Sequence, residues 1–341
     1  MVEVGADLEA LTAGDEAFGP EQEREFEQPE MRSARVEAGA HGERLDKWLV
    51  GLAPEFSRNH LQGLIERGCV HIGGQLAGTA SRRLKAGEQV EVVLQPTEES
   101  RAFRAEALPL RIVYEDESLL VLDKAAGMVV HPAAGNWSGT VLNGLLAHHA
   151  PAASLPSAGI VHRLDMDTSG LMVVGKTLEA VTALVRMIAA REVHRQYLAL
   201  AHGRVPAELV IDAPLRRDPA SRVKMAVLAG GKPARTDVYA LGEAAVDGRT
   251  ISAVHCVLHS GRTHQIRVHL ASRGHPLVAD ALYGGAPALG LERQALHAAR
   301  LSFLHPTSGE SLCFDAPMPQ DLSRAWRSAG FAPPPIGGLS D

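Results

Sequence analysis

A dense group of reactive side chains lies between two apolar runs in residues 159–174, GIVHRLDMDTSGLMVV. The centre of this segment combines the imidazole of His162 and the guanidinium of Arg163 with the carboxylates of Asp165 and Asp167. Loops held by rigid strands commonly carry catalytic groups. A carboxylate in an apolar cleft can act as a general base or as a nucleophile. Taken alone, the segment is better interpreted as a charged hairpin loop without catalytic function.

A second polar group follows later in the chain at residues 260–269, SGRTHQIRVH. It again places cations and hydrogen-bond donors, among them Arg262, His264 and Arg267, beside apolar residues. If the two segments meet in the fold, Arg267 can pair with Asp165 and keep that carboxylate ionised in an apolar cleft. The two segments together therefore predict one site built around a charged carboxylate.

Short apolar strands separated by Gly and Pro turns predict the scaffold that positions these segments. Such patterns recur through residues 110–325, with examples at 111–114, 119–122, 171–174, 197–200 and 251–254. Helical patterns are few, and the clearest cover residues 178–190 and 264–273. This mixture is typical of an α+β domain with a mixed, largely antiparallel β-sheet.

A smaller α/β unit is predicted before this scaffold, within residues 35–94. Its first helix follows from apolar residues at helical spacing, and its second begins at the candidate N-cap Ser57 and ends at Gly68. Alternating apolar residues on either side of Gly73-Gly74 predict a hairpin. The apolar positions of the two helices are Leu45, Trp48, Leu49, Leu52, Leu61, Leu64 and Ile65.

Charge divides the chain unevenly. The formal net charge is −6, but residues 1–31 contain ten acidic residues and one Arg, which leaves the remainder at +3. We expect residues 1–31 to form a disordered acidic tail, 32–95 the small unit, 96–109 a linker, 110–328 the large domain and 329–341 an irregular tail. A mildly basic body is compatible with RNA binding but does not establish it.

Several classes of protein are disfavoured by composition and spacing. The three cysteines are far apart and odd in number, which argues for a reducing compartment. The N-terminal residues lack the pattern of a secretory signal, and no uncharged apolar run approaches the roughly 18 residues of a membrane span. We therefore expect a cytoplasmic protein. His259, His264 and His269 are spaced by five, which converges on neither a helix face nor a strand face, so no metal site is expected.

An aspartic protease is a further alternative, because residues 167–170, DTSG, match the active-site motif of those enzymes. Aspartic proteases need two such aspartates that share a proton. This chain has one copy of the motif, and a single-chain enzyme of 341 residues would be expected to carry both. The protease alternative is therefore disfavoured.

The two polar segments together resemble the RluA family of pseudouridine synthases. The family's H-R-L-D motif, with its following Thr/Ser-Gly turn, corresponds to residues 162–174, and its G-R-T-H-Q-I-R-V-H motif stands intact at 261–269. Shorter matches run through residues 274–276, 283–285, 295–298 and 305–306, so the resemblance covers about 35–325. It implies an isomerase with the pseudouridine synthase fold that needs no metal, nucleotide or redox cofactor.

The resemblance also implies residue roles. Asp165 is the catalytic aspartate, acting on the ribose as nucleophile or base while the uracil is detached, turned and rejoined through carbon. Arg267 is its ion-pair partner, and a guanidinium suits a bidentate contact. Tyr197 stacks on the target base, and Arg163 fills the gap that the flipped nucleotide leaves in the RNA. Arg262 and His264, in the second motif, are candidate RNA-binding residues. His162 is expected to be structural.

The small N-terminal unit resembles an S4 RNA-binding domain through residues 44–46, 57–58 and 68–72. Arg58, near a helix N-terminus, is then a candidate phosphate contact. Residues 131–136 and 139–143 look most like the RluD branch of the family, which modifies a hairpin loop of large-subunit ribosomal RNA. Another ribosomal site or a transfer RNA is the alternative substrate, and a non-catalytic ribosome-assembly factor is the alternative function. The family implies a monomer, and the absence of a long apolar run predicts no membrane association.

Overall fold

The computed structural model describes residues 30–95, 102–133, 135–332 and 334. The chain divides into two compact units, one up to residue 97 and one from residue 98 onward. The predicted acidic tail lies outside the described residues except for Glu30 and Met31, which form the start of the first strand. The prediction of a tail through residue 31 was therefore too long by two residues. None of the described helices is long and apolar enough to cross a bilayer.

The first unit is a four-stranded antiparallel sheet with two helices. Its strands pair in the order β1-β4-β2-β3. The unit comprises β1 (Glu30–Arg35), α1 (Leu45–Leu52), α2 (Arg58–Glu66), β2 (Val70–Ile72), β3 (Gln75–Leu76) and β4 (Gln89–Leu94). A short 3-10 turn, Ala38–Ala40, precedes α1. The predicted helix–helix–hairpin order is confirmed, whereas β1 gave no pattern that we recognised.

Local chemistry explains where α2 begins and ends. The Ser57 hydroxyl accepts a hydrogen bond from the amide of His60 at 3.3 Å, which satisfies one of the free N–H groups at the helix start. Gly68 follows the helix with φ +75°, a conformation that glycine adopts without steric penalty. Between these two ends, the helix buries Leu61 and Leu64 completely against the sheet.

A buried carboxylate joins the two helices of this unit. Asp46 is fully buried in α1 and accepts hydrogen bonds from Arg44, Arg58 and Gln62, the last at 2.6 Å. The hydrogen bonds from Arg44, opposed by burial and aided by those from Gln62 and Arg58, hold the pKa of Asp46 well below its usual range. The carboxylate thus links the start of α1 to the first two turns of α2.

We expect Asp46→Asn to destabilise the first unit by about 1–3 kcal/mol, because the amide lacks the negative charge and one of the two acceptor oxygens that the surrounding donors use. Hydrogen exchange of the α1 and α2 amides in the full chain measures this. The surface pair of Glu43 and Lys47 offers a control, and Glu43→Gln is expected to change exchange little. In the wild type the same amides are expected to lose protection as the pH falls below about 4, where the unfolded carboxyl takes up its proton first. Unchanged protection in Asp46→Asn would contradict the assignment.

The second unit is built on a nine-stranded sheet. Eight strands run in the order β5-β6-β7-β14-β8-β13-β12-β9, and β15 pairs with β14. The strands are β5 (Ile112–Glu115), β6 (Leu119–Lys124), β7 (Ser169–Gly175), β8 (His194–His202), β9 (Glu208–Asp212), β12 (Arg235–Val246), β13 (Arg249–Leu258), β14 (Leu296–Leu304) and β15 (Ser311–Asp315), while β10 (Leu215–Arg217) and β11 (Met225–Val227) form a separate hairpin. The pairings are antiparallel except between β7 and β14, so the predicted α+β class is confirmed.

Helices cover both faces of this sheet. They are α3 (Val141–His148), α4 (Leu178–Ala190), α5 (Gln265–Ser272) and α6 (Gln320–Ser328), with 3-10 turns at Ala150–Ser154, Pro156–Gly159 and Ala281–Tyr283. Alternate residues of β6 and β7 enter two separate apolar clusters, one with α3 and α5 and the other with α4. All residues of these two strands are buried, as expected for strands covered on both faces.

One glycine allows the parallel contact at the centre of the sheet. Gly170 has φ +114°, and a Cβ atom there would lie 2.2 Å from the carbonyl oxygen of Ala298 in β14. A side chain at this position would therefore separate β7 from β14. The loop that carries Asp165 immediately precedes this contact and is thereby fixed against the sheet.

Candidate active site

The two polar segments of the sequence meet in one cavity of the second unit. The cavity has a volume of about 790 Å³, within the range of small-molecule sites. Its lining comes from the loop before β7, from β8 and from the segment between β13 and α5. Six predicted site residues line it: Arg163, Asp165, Tyr197, Arg262, His264 and Arg267. Their convergence confirms that the segments form a single site, while the role of each residue stays a prediction.

Asp165 and Arg267 form the predicted ion pair. Arg267 Nη1 donates to Asp165 Oδ2 at 3.0 Å. The side chain of Asp165 is 15% exposed, and that of Arg267 is 8% exposed. Both side chains line the cavity, and Arg267 is the more buried of the two.

A second carboxylate, Asp280, holds Arg267 in place. Arg267 Nε and Nη2 donate to its two oxygens, each at 2.8 Å. The bidentate contact that we expected with Asp165 is thus made with Asp280, and Asp165 receives a single hydrogen bond. Burial opposes the charged form of Arg267, but Asp280 and Asp165 outweigh this effect and raise its pKa. The guanidinium is consequently a permanent and oriented cation.

His264 takes an unusual backbone conformation at the start of α5. Its φ of 55° lies in the left-handed region, which costs a non-glycine residue energy and is often found at functional sites. Its Nδ1 lies 2.8 Å from the hydroxyl of Tyr283, which accepts a hydrogen bond from the amide of Met225. If the hydroxyl donates to Nδ1, the proton of His264 is on Nε2, which lies 3.9 Å from Asp165 Oδ1. Burial lowers the pKa of His264, so the neutral ring is favoured near pH 7.

A glutamine supports the loop before α5. The side-chain oxygen of Gln265 accepts from the Ser260 hydroxyl at 2.9 Å and from the amide of Arg262 at 3.0 Å. Its side-chain nitrogen donates to the carbonyl of Arg235 and the hydroxyl of Thr236, both at 3.0 Å. A fully used amide of this kind ties the loop to β12 and so fixes Arg262 and His264 relative to the sheet.

Buried polar groups hold the Asp165 loop from the other side. Lys124 Nζ donates to the carbonyls of Ala125, Met128 and Met166 at 2.8–2.9 Å. Burial lowers the pKa of Lys124 to about 8, although the charge of Asp165 opposes this shift. The lysine therefore joins the Asp165 loop to the loop after β6.

His162 supports the same loop as an acceptor. Its Nε2 accepts from the amide of Val173 at 3.0 Å, in agreement with the structural role expected for it. Burial, together with the charge of Arg195, lowers the pKa of His162 to about 3. The ring is therefore neutral near pH 7 and can act as this acceptor.

Tyr197 is the aromatic residue of β8 in the cavity. The residue is buried, and burial raises the pKa of its hydroxyl to about 12. The hydroxyl is therefore protonated near pH 7, and the ring is held in place by the sheet. Arg163 and Arg262 are exposed at the cavity, and Arg262 donates weakly to the carbonyl of Pro233 at 3.3 Å.

Arg58, the remaining predicted RNA contact, belongs to the first unit and not to this cavity. Its guanidinium donates to Asp46 at 2.9 Å, and its side chain is 47% exposed. Part of its hydrogen-bonding capacity is thus used within the unit. Contact with phosphate remains a prediction for its exposed part.

Sequence reasoning missed Asp280 and Tyr283. Tyr283 lies in a segment that matched the family, yet nothing in its spacing indicates a contact with His264. Asp280 is a single acidic residue in an apolar stretch and carries no local signal. In the described part of the chain no group of three or more His, Cys, Asp or Glu side chains is arranged to hold a metal ion.

Comparison with known proteins identifies the family. Residues 118–272 match the family model described as RNA pseudouridylate synthase, and residues 43–90 match that of the S4 domain. A Nitrosomonas europaea protein named ribosomal large subunit pseudouridine synthase D is 46% identical over 83% of this chain and 83% of its own length. The chain belongs to the RluA family of pseudouridine synthases. It is an RNA-modifying isomerase with an N-terminal S4 domain.

Other relatives of this pseudouridine synthase carry the same name. A protein from Neisseria meningitidis serogroup B is 48% identical over 82% of this chain and 77% of its own. One from Escherichia coli O157:H7 is 43% identical over 85% and 91%. Among solved structures, human RNA pseudouridylate synthase domain containing 1 is 28% identical and covers 66% of this chain and 87% of its own, with a TM-score of 0.50. The predicted fold and enzyme class are thus confirmed.

We expect Asp280→Asn to destabilise the second unit by about 3–5 kcal/mol, because it leaves a buried guanidinium without its bidentate partner. Asp165→Asn should cost less, since Arg267 then keeps Asp280 and Asp165 is partly exposed. Urea unfolding followed by tryptophan fluorescence measures both, in a Trp48→Phe background where Trp137 and Trp326 of the second unit report. Equal losses in the two variants would contradict the assigned difference between the two carboxylates.

Proposed function

We propose that this chain converts specific uridines of large-subunit ribosomal RNA to pseudouridine, with Asp165 as the essential residue. The observation that carries the proposal is the ion pair of Asp165 with Arg267 at 3.0 Å in the cavity, where both side chains are largely buried and Arg267 is the more buried of the two. Relatives named for large-subunit pseudouridine synthesis, which are 43–48% identical to this chain over the aligned regions, support the choice of RNA.

The chemistry needs a charged carboxylate and no external reactant. The N1–C1′ bond of uridine breaks, a C5–C1′ bond forms, and the C5 proton leaves while N1 gains one, so that the product is an isomer. A carboxylate at Asp165 can attack C1′ or accept a proton from the ribose, and both roles need the ionised form. The oriented cation of Arg267 stabilises that charge in a site shielded from water.

Access to C1′ requires the uridine to leave the base stack. Such nucleotides are commonly held by stacking on aromatic side chains, and single-stranded loops allow this at low energy. Tyr197 supplies the aromatic ring in this cavity. Arg163, exposed and two positions before Asp165 in the chain, would occupy the gap left in the RNA. Arg262 and His264 add a cation and a ring nitrogen from the segment between β13 and α5.

The remaining parts of the proposal concern context. The S4 domain would add phosphate contacts outside the cavity, with Arg58 among them, and the enzyme would act in the cytoplasm as a monomer without metal or organic cofactor. Another ribosomal uridine or a transfer RNA is the alternative substrate.

Release of tritium from RNA labelled at uracil C5 tests the activity directly. We expect release by the wild type from large-subunit RNA or its precursor particles, with transfer RNA tested in parallel, and no release by Asp165→Asn. Glu179→Gln, which alters an exposed carboxylate on α4, is the matched control and is expected to keep full activity. If Asp165→Asn releases tritium at the wild-type rate, Asp165 is not the catalytic residue. If the wild type binds RNA without release, the chain is a binding factor.

Stacking on Tyr197 is tested by binding. We expect Tyr197→Leu to weaken binding of a target hairpin about 10- to 100-fold, because stacking of one base on an aromatic ring contributes about 1–3 kcal/mol. Tyr197→Phe keeps the ring and should bind like the wild type. Equilibrium binding by fluorescence anisotropy separates the two variants. Equal affinities of the Leu and Phe variants would show that the ring does not stack on the RNA.

A further inference from the structure

Arg195 is a buried cation with no anionic partner among the described residues. The residue is 4% exposed and lies on β8, two positions before Tyr197. Its Nε atom is buried and makes no hydrogen bond. Burial lowers the pKa of Arg195, and no described carboxylate contributes to counter this shift.

Other well-buried arginines of this unit are compensated. Arg267 pairs with Asp280 and Asp165, and Arg293, whose side chain is 12% exposed, pairs with Asp321. A buried charge without a partner is strongly unfavourable for folding. Retaining Arg195 in this position is therefore difficult to explain by stability, and a ligand that supplies the missing negative charge would account for it.

The guanidinium of Arg195 lies in the wall of the active-site cavity, beneath the second motif. A Cβ atom on Gly261 would lie 2.7 Å from Arg195 Nη1, so a side chain there would displace the guanidinium from its present position. Gly261 does not have a positive φ, and backbone conformation is not the reason for it. Residues 195 and 197 project from the same face of β8, because side chains alternate along a strand. Arg195 is thus the neighbour of Tyr197 on that face of the strand, and Tyr197 carries the ring on which the base would stack.

We propose that Arg195 binds a backbone phosphate of the flipped uridine and so fixes its position in the cavity. This inference rests on the proposed function and adds a phosphate site to it. A phosphodiester carries the full negative charge that the site lacks, whereas a uracil carbonyl does not. Arg195 and Tyr197 stand two residues apart on β8, about 7 Å along the strand, so a base stacked on the ring would hold its own phosphates near the guanidinium. Asp165 is the one acidic residue in the described cavity lining, and Arg267 neutralises it.

Neutral phosphates test the contact. In an Asp165→Asn background, which keeps the RNA unmodified, a hairpin with methylphosphonate at the 5′ or the 3′ phosphate of the target uridine is compared with the unmodified hairpin. We expect one of these substitutions to weaken binding about 10- to 100-fold, the range for a hydrogen bond to a charged group. Arg195→Met should weaken binding of the unmodified hairpin by a similar factor and be insensitive to the same substitution. Its salt dependence should fall by about 0.7 in log–log slope.

Two further variants separate binding from structure. Arg191→Gln removes an exposed cation at the same cavity, and we expect it to keep the methylphosphonate sensitivity. Gly261→Ala should displace the Arg195 guanidinium and lose that sensitivity. The thermal midpoint of Arg195→Met should equal or exceed that of its parent, since a methionine replaces an unpaired buried charge. A lower midpoint with unchanged RNA affinity would mean that Arg195 is structural, and the proposal would be wrong.

The outcomes distinguish this inference from the function on which it rests. If the wild type releases tritium but the methylphosphonates affect Arg195→Met as strongly as its parent, the phosphate contact is excluded and the enzyme assignment stands. If the wild type releases no tritium but the sensitivity depends on Arg195, the phosphate site exists in a protein with another function. Failure of the parent to bind the hairpin at all would refute the contact.

Discussion

The shared guanidinium of Arg267 is the interaction on which the rest of the site depends. Two of its nitrogens donate to Asp280, and this contact orients the third nitrogen so that it donates to Asp165. A lysine could not replace it, because a compact ammonium lacks the planar fork that holds one carboxylate in two contacts while reaching another. Desolvation of this cation is costly, and the two carboxylates make it tolerable. The fold therefore has to bring three separate chain segments together before Asp165 is correctly placed.

The central sheet meets this requirement through a few close contacts. Gly170 lets β7 lie directly beside β14, which fixes the loop before β7. Lys124 holds the same loop from the side of β6, and Gln265 holds the facing loop to β12. These contacts are made by backbone carbonyls and by side chains with all their donors used. They leave little freedom for Asp165 and Arg267 to separate, as pre-organised catalytic sites require.

Local patterns in the sequence predicted much of this arrangement. Helices α2 and α4 follow from caps and apolar periodicity, which depend on neighbours a few residues away. The pairing of Asp165 with Arg267 was predicted because both stand in dense polar motifs. Asp280 and Arg195 could not be predicted in the same way. The function of Asp280 depends on a partner, Arg267, that the fold brings close. Arg195 is unusual because no described carboxylate lies near it, and a sequence pattern does not show which residues surround a side chain. Strand β1 was missed because its short, polar sequence pairs only with β4, far along the chain.

His264 places stability and function in opposition. Its left-handed backbone is a conformation that glycine or asparagine adopts more readily, so replacement by either would relieve strain of about 1 kcal/mol. The same replacement would remove the imidazole between Tyr283 and Asp165. Selection for thermal stability alone would thus favour replacement of His264, whereas selection for catalytic turnover would favour its retention. A variant selected only for stability is therefore expected to carry glycine or asparagine at position 264 and to lose activity.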